Sequence, residues 1–250
     1  MNVFDLTGRN AVVTGASRGI GLAIARGLMV AGARVMITGR TEESVAKGIA
    51  DLGSGALGHA ADVSRESDVA RLAAEAEAAM GPVDILVNNA GVNPHYKRTE
   101  DTALEEWEAI LDVNLTGVFL CTRAFGRGML ARGRGSIVNI TSIAAHAGLA
   151  RTGAYCAAKA GVEALSRSLA MDWAGQGVRV NNVAPGYVAT DLTAGLSAND
   201  TLRGRIETRT PAGRLAEADE MAGAVIFLAS DAASYVTGAT LAADGGWTAT

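Results

Sequence analysis

Short apolar runs rich in β-branched residues alternate with helix-length stretches along almost the whole chain. That alternation narrows the fold more than any single motif does. Residues 10–14, 34–38, 56–61, 82–87, 135–140, 178–184 and 239–242 read as strands. Residues 22–30, 42–52, 65–80, 104–111, 114–132, 154–173 and 217–230 read as the helices. Strands that alternate with helices build a parallel sheet covered on both faces, and nearly continuous apolar strands are what such a sheet requires. The chain has 250 residues and no Pro/Ser-rich linker, low-complexity run or repeat, so one α/β domain is expected.

In such a sheet ligands bind outside the carboxyl ends of the strands. The segments that follow the strands are therefore the candidate sites. After the first strand comes Thr14-Gly15-Ala16-Ser17-Arg18-Gly19-Ile20-Gly21, leading into a helix. Glycines let a backbone approach its ligand closely, and the free N–H groups of a helix start face an anion. The spacing is Gly-x-x-x-Gly-x-Gly rather than Gly-x-Gly-x-x-Gly. Set between a strand and a helix, it favours a pyrophosphate cradle over an ordinary turn.

The second strand ends in Thr38, Gly39 and Arg40. An acid there would bind a ribose 2′-hydroxyl, whereas an arginine accommodates a 2′-phosphate. Arg40, with Arg18 in reach of the same phosphate, leads us to expect NADP(H) in preference to NAD(H). Asp62 and Val63 follow the third strand. Asp62 either accepts from an adenine amino group or caps the next helix. Asn88-Asn89-Ala90-Gly91 follows the fourth strand and suits a backbone passing close to a flat ligand. Ser142 follows the fifth strand, and Pro185-Gly186 the sixth. The long mixed segment 187–214 is expected to form a substrate lid. Asn114 lies in an otherwise apolar stretch. Leaving its amide unpaired would cost about 1–3 kcal/mol, so it is either a structural bridge or part of a polar network at the site.

Tyr155 and Lys159 stand four apart in the helix 154–173, on one face and one turn from each other. An ammonium beside a phenol favours the phenolate and lowers its pKa, which would fit Tyr155 for general acid–base work near neutral pH. Taken alone, the pair reads rather as a tyrosine packed under a lysine stem. Its place on the same sheet edge as the glycine turn, Asn89 and Ser142 favours the chemical reading.

Composition excludes several classes. A net charge of −4 argues against nucleic acid as the main partner, and the few aromatic residues argue against a base-stacking platform. No apolar run read here reaches membrane-spanning length, and no secretory signal is seen at the start. Cys121 and Cys156 make neither a disulfide framework nor a metal cluster, so no metal is expected and a reducing, cytoplasmic setting fits.

These residues together resemble the short-chain dehydrogenase/reductase family. The matching segments are Thr14-Gly15 through Gly21, Asn88-Asn89-Ala90-Gly91, Asn114, Ser142, Tyr155-x-x-x-Lys159, Pro185-Gly186 and Asp244-Gly245-Gly246. The resemblance implies a seven-stranded, doubly wound Rossmann-type sheet, a nicotinamide cofactor and a catalytic tetrad of Asn114, Ser142, Tyr155 and Lys159. It implies cofactor contacts from Gly15, Ser17, Arg18, Gly19, Ile20, Gly21, Asn89, Ala90, Gly91, Pro185, Gly186, Val188 and Thr190, and from Tyr155 and Lys159 themselves. It implies a homotetramer with the tail after Ala239 at an interface. The expected activity is reversible hydride transfer between NADP(H) and a secondary alcohol/ketone pair, with a polyol, sugar acid or small ketone as substrate. Lys159 would lower the Tyr155 pKa, and Asn114 would position a relay water.

A 3-oxoacyl-acyl-carrier-protein reductase is the alternative. Met171-Asp172 departs from the Arg-acid pair that resemblance would call for, while Arg127, Arg132 and Arg134 offer a basic patch. A non-catalytic NADP sensor would be expected to lose the tetrad, and all four positions are filled. The substrate pocket is expected from Val92, Asn93, His95, Ala144, His146, Leu149 and Tyr187.

Overall fold

The computed structural model describes residues 2–190, 193 and 199–249. Its strands are β1 Asn10–Val13, β2 Arg34–Gly39, β3 Leu57–Ala60, β4 Ile85–Asn88, β5 Gly135–Ile140, β6 Val178–Pro185 and β7 Thr240–Ala243. Its helices are α1 Gly19–Val30, α2 Glu42–Leu52, α3 Glu66–Met80, α4 Leu104–Leu111, α5 Gly117–Arg132, α6 Gly153–Trp173, α7 Asp200–Arg209 and α8 Glu220–Ala229. The seven strands form one sheet in the order β3-β2-β1-β4-β5-β6-β7, and every pairing is parallel. The fold is a doubly wound, Rossmann-type α/β domain, with its topological switch between β1 and β4.

Alternate strand residues feed two apolar cores. Ala11, Val13, Ile37 and Val138 pack with Ile24, Leu28, Val225 and Leu228 from α1 and α8. Val12, Met36, Leu86 and Ile137 pack on the other face with Leu72, Phe125 and Met129 from α3 and α5. Fully burying each such aliphatic side chain contributes about 1.5–3 kcal/mol, so the two faces hold the sheet between them. Close helix approach depends on small residues. A Cβ placed on Gly27 of α1 would lie 2.6 Å from the Cβ of Ala222 on α8.

One layer through the sheet is polar. Asn88, Asn139, Asn182 and Thr240 are successive register partners from β4 to β7. Asn88 donates to Asn139 at 2.8 Å and to Thr122 at 3.0 Å. Asn139 donates to Ser166 of α6 at 2.9 Å, and Asn182 donates to Thr240 at 3.1 Å. All three asparagines are buried.

The helices read as 104–111 and 114–132 are continuous. A π-helical turn, Asp112–Thr116, joins them and centres on Asn114. The joined helix, Leu104–Arg132, has 29 residues and is long and apolar enough to cross a membrane by length and composition. Half of its most apolar window is buried, and Cys121, Phe125 and Met129 lie in the core of the sheet. Of the expected lid, residues 191–192 and 194–198 lie outside the described residues. The rest of that segment contains α7.

Candidate active site

The glycine turn after β1 has the backbone that a phosphate cradle needs. Gly15 and Gly19 adopt φ of 61° and 57°, in the left-handed region that favours glycine. A Cβ on Gly15 would lie 2.7 Å from the Cα of Ala90, and one on Gly21 would lie 2.4 Å from the Asn89 amide nitrogen. No side chain caps the start of α1, which leaves its first N–H groups for an anion. A nicotinamide dinucleotide's pyrophosphate fits this cradle. Asn89 holds the turn in place, donating to the carbonyls of Thr14 and Gly15, each at 2.9 Å. The Thr14 hydroxyl in turn accepts from the N–H groups of Asn89 and Ala90. Asn89 therefore acts through its amide, whereas the neighbouring Asn88 belongs to the buried ladder.

Other parts of the edge close on the same place. A Cβ on Gly19 would lie 3.7 Å from the Thr190 methyl group, which sets the β6 exit over the cradle. Val188 is buried and bridges to Ala216. Pro185 ends β6, and Gly186 passes so close to Asp244 that an added Cβ would lie 2.8 Å from its Cα. Ser17 lies beside Gly39, where an added Cβ would be 3.3 Å from its hydroxyl. Ile20 packs partly buried against the α1 core. Arg18 and Arg40 are exposed at adjacent strand ends, and no acid stands at the end of β2.

Of the two roles expected for Asp62, the helix cap is not taken. It accepts from the N–H and hydroxyl of Ser64, at 3.0 and 2.6 Å, while α3 starts later, at Glu66, without a side-chain cap. The chain turns before the helix begins, and the carboxylate is spent on that turn. Val63 is buried against Gly117 of α5.

Helix α6 docks its chemistry-bearing stripe on the end of β5. Ser166 meets Asn139 at 2.9 Å, and the Lys159 ammonium donates to the Ile140 carbonyl at 2.8 Å. Thr141 donates to Glu163 at 3.0 Å, and Ser142 stands close enough to Tyr155 to favour its ionised form. Residues 155, 159, 163 and 166 share one helical face, so four consecutive residues of the β5 terminus each meet one side chain of that stripe. The Ser142 oxygen accepts from the Ala144 N–H at 3.1 Å, which leaves its own proton to donate. Arg151, at φ 65°, makes the turn into α6.

The structure corrects the electrostatics expected of the pair. The Lys159 ammonium lies over the face of the Tyr155 ring, 5.6 Å from its centroid. Burial pushes the Tyr155 phenol up to about 12, with Ser142 acting against it. Burial also pushes Lys159 down to about 8. Desolvation dominates both shifts, because each charged form gives up water for an apolar surrounding. The phenol keeps its proton at neutral pH.

Asn114 is fully buried at the π turn. It donates to the carbonyls of Val92 and Ile110, both at 2.8 Å, and accepts from the Val92 N–H at 3.2 Å. Its side chain is thus a clamp on the loop after Gly91. A Cβ on Gly91 would lie 2.8 Å from the Asn114 oxygen and 3.5 Å from the Lys159 nitrogen, so only glycine lets these three groups converge.

Both histidines expected in the pocket lie beside carboxylates. His95 Nδ1 lies 3.7 Å from Glu106, and His146 Nε2 lies 3.0 Å from Glu163. A residue the sequence reading passed over is Tyr96. Its electrostatic influence reaches both Tyr155 and Tyr187, which puts three phenols in one region. An aromatic residue in an otherwise polar loop was the available signal. Tyr187 stands edge-on to Trp247, with centroids 5.0 Å apart, and Arg209 of α7 covers the Trp247 ring at 4.2 Å. Ile143, Leu149, Ile206 and Leu215 complete this apolar wall, and Ala144 is buried beside Ile143. Among the described residues no His, Cys, Asp or Glu cluster could hold a metal ion.

A phosphate cradle and a Ser–Tyr–Lys cluster on one edge of a doubly wound sheet define an oxidoreductase of the dinucleotide-binding class. Comparison with known proteins agrees. The family described as enoyl-(acyl carrier protein) reductase matches residues 15–248. The chain is 47% identical to the cis-4-hydroxycyclohexanecarboxylate dehydrogenase of Sinomonas cyclohexanicum, covering 96% of this chain and 97% of that protein. It is 44% identical to the 3-oxoacyl-acyl-carrier-protein reductase of Escherichia coli (strain K12), covering 97% and 98%. Among solved structures, a gluconate 5-dehydrogenase from Burkholderia cenocepacia J2315, in complex with NADP and tartrate, superposes with a TM-score of 0.95. That protein is 40% identical, over 100% of this chain and 98% of the other. The chain belongs to the short-chain dehydrogenase/reductase family and is an NAD(P)-dependent oxidoreductase of that family.

Proposed function

We propose that the chain reversibly oxidises a small secondary alcohol to a ketone with NADP(H), and that Tyr155 is its acid–base residue. The carrying observation is the convergence of Ser142, Tyr155 and Lys159 at the β5 end, on the edge that also bears the glycine cradle. The dinucleotide supplies the hydride chemistry when bound. Gly15, Ser17, Gly19, Ile20 and Gly21 hold its phosphates, and Asn89, Ala90 and Gly91 let the backbone pass close to it. Asp62 and Val63 border the adenine side, while Pro185, Gly186, Val188 and Thr190 close the nicotinamide side. Arg40 and Arg18, with no acid at the end of β2, support NADP(H) over NAD(H).

Tyr155 gives its proton to the substrate oxygen during ketone reduction. Ser142 donates a hydrogen bond to that same oxygen, where charge develops. Lys159 holds positive charge beneath the ring, and Asn114 keeps Gly91 and Lys159 in register. A phenol held near about 12 is set to donate, so alcohol oxidation should speed up as the pH is raised from neutral, while ketone reduction should not. Tyr155→Phe should lower kcat by about 10³-fold or more and leave the NADPH dissociation constant within about threefold. Wild-type turnover in that variant would end the reading.

Gluconate and cis-4-hydroxycyclohexanecarboxylate, named in the relatives, make hydroxylated acids the substrate class to try first. Asn93 supports this class, because its buried amide oxygen has no partner among the described residues and can accept from a hydroxyl. The segment from Tyr187 to Arg214 is the proposed substrate lid, latched by Arg209 on Trp247.

The acyl-carrier reading is kept by the likeness to the bacterial reductase. The structure gives it less to work with. Arg134 is bound to Asp84 and Arg132 to the Val83 carbonyl, and Met171 is exposed where a basic residue would help. Turnover of gluconate, cis-4-hydroxycyclohexanecarboxylate, sorbitol, butan-2-ol and an acetoacetyl-carrier thioester, each with both cofactors, separates the two. A homotetramer in a reducing, cytoplasmic setting completes the proposal. The exposed Met171, Tyr235 and Leu241 and the free Cys121 and Cys156 support it. Light scattering tests the assembly.

A further inference from the structure

Glu163 plays no part in the chemistry described above, yet it is one of the few acidic side chains in the interior, with 4% of its side chain exposed. It stands one turn beyond Lys159 on the same face of α6. One of its oxygens, Oε1, takes two partners. Thr141 donates its hydroxyl at 3.0 Å, and the His146 Nε2 lies at 3.0 Å. Thr141 immediately precedes Ser142, and His146 follows it by four residues. Between them the backbone makes a tight 3₁₀ turn, with the N–H of Ala145 donating to the Ser142 carbonyl and that of His146 to the Ile143 carbonyl. The Thr141 N–H donates to the Val183 carbonyl at 2.8 Å, which ties this flank to β6.

A single buried carboxylate thus braces both flanks of the short segment that presents the Ser142 hydroxyl to Tyr155. A hydroxyl on a loop stays within hydrogen-bond range of a reacting oxygen only if the loop is held, and a displacement of about 1 Å can cost about 100-fold in rate. We propose that Glu163 is a positioning residue for Ser142, with Thr141 and His146 as its two points of attachment. The inference rests on the oxidoreductase reading given above. It assigns no substrate contact to His146.

A graded series tests it, using the full-length chain and whichever compound of the substrate panel the wild type turns over fastest. Glu163→Gln keeps an oxygen that accepts from both partners, so kcat should stay within about threefold of wild type. Thr141→Val and His146→Ala each remove one attachment and should lower kcat by about three- to tenfold. Glu163→Leu removes both at similar volume and should lower it by about 10- to 100-fold. NADPH dissociation constants, read by fluorescence, should stay within about threefold throughout, since the cradle lies elsewhere on the edge. In a Ser142→Thr background, whose hydroxyl is retained but re-aimed, the His146→Ala factor should shrink, because residues acting through one group are not additive. A series flat in kcat overturns the proposal, as does Gln falling with Leu, or losses that track NADPH binding. Should Glu163→Leu not fold, the Thr141 and His146 variants still decide it. If Tyr155→Phe is inactive while the series is flat, only the role of Glu163 falls. If Tyr155→Phe is active, the assignment of Tyr155 as the acid–base residue falls.

Discussion

Around β1 the carboxyl edge of the sheet is shaped by backbone. Gly15 and Gly19 turn with positive φ, Gly21 leaves room for Asn89, and the walls behind them are aliphatic. Around β5 the same edge is shaped by side chains. Asn139, Thr141 and Ser142 each hold a polar side chain of α6, and the Ile140 carbonyl holds Lys159. On the proposed function, the difference follows from what each half would have to do. A pyrophosphate is met by N–H groups, so the β1 half needs close approach and tolerates an apolar interior. Proton transfer needs particular side-chain atoms held to a fraction of an ångström, so the β5 half accepts a buried polar network. Such a network is costly wherever one member loses its partner.

The comparison breaks most readily at Asn139. Asn139→Leu leaves the amide of Asn88 and the hydroxyl oxygen of Ser166 each one partner short, and should cost about 4 kcal/mol at about 1–3 kcal/mol for each group. Urea denaturation measures it, and kcat should fall with it because Ser166 and α6 lose their anchor. Leu28→Ala in α1 serves as the contrast. It should cost about 2–4 kcal/mol of stability while kcat stays near wild type. Equal behaviour of the two variants would dissolve the distinction.

Next in size is the buried ammonium. Lys159 holds its proton less tightly folded, at about 8, than at its ordinary value of 10.5. Between those values the unfolded chain binds more protons, so stability rises with pH across that window and the cost of burying the charge is felt below it. Wild type should gain about 3 kcal/mol relative to Lys159→Met between pH 8 and 10.5, at about 1.4 kcal/mol per pH unit. Thermal melts at a series of pH values up to 10 check this, below the range where Tyr155 loses its proton. The opposite slope would show that Lys159 is not buried as a costly charge.

Smaller effects belong to the cradle. Gly15→Ala puts a methyl group 2.7 Å from Ala90 at a φ that alanine resists, and should weaken NADPH binding by about 10- to 30-fold, or about 1.4–2 kcal/mol. At saturating cofactor kcat should change little, which titration calorimetry and steady-state rates together would show. Arg40→Ser should weaken NADPH by about tenfold or less and leave NADH untouched. Loss of both equally would place the 2′-phosphate elsewhere.

Much of the fold was legible because each signal was local. The strand-turn-helix around Gly15, the four-residue spacing of Tyr155 and Lys159 and the alternation of strands and helices all fall within a few turns of chain. Less legible was the use of each polar residue. Asn88 and Asn89 look alike in sequence, but one enters the ladder and the other ties down the glycine turn, 74 residues away. Glu163 read as one more residue of a helix, and only the β5 terminus, 22 residues earlier at Thr141, gives it a buried task. Asp62 lost its expected cap because the turn through Ser64 came first. The two helices from 104 to 132 became one through a π turn, which keeps the helix running so that Asn114 reaches Val92.

From its residues alone, this chain was committed to a parallel sheet with a phosphate-binding turn and a tyrosine–lysine pair on one edge, since periodicity, glycine freedom and helical spacing act over short distances. The folded structure decided which buried amides pair and which carboxylate meets Thr141 and His146. It also decided that the lysine and the tyrosine both yield to desolvation. Those outcomes depend on strand register and burial, which bring together residues far apart in the chain and strip water from them at the same time.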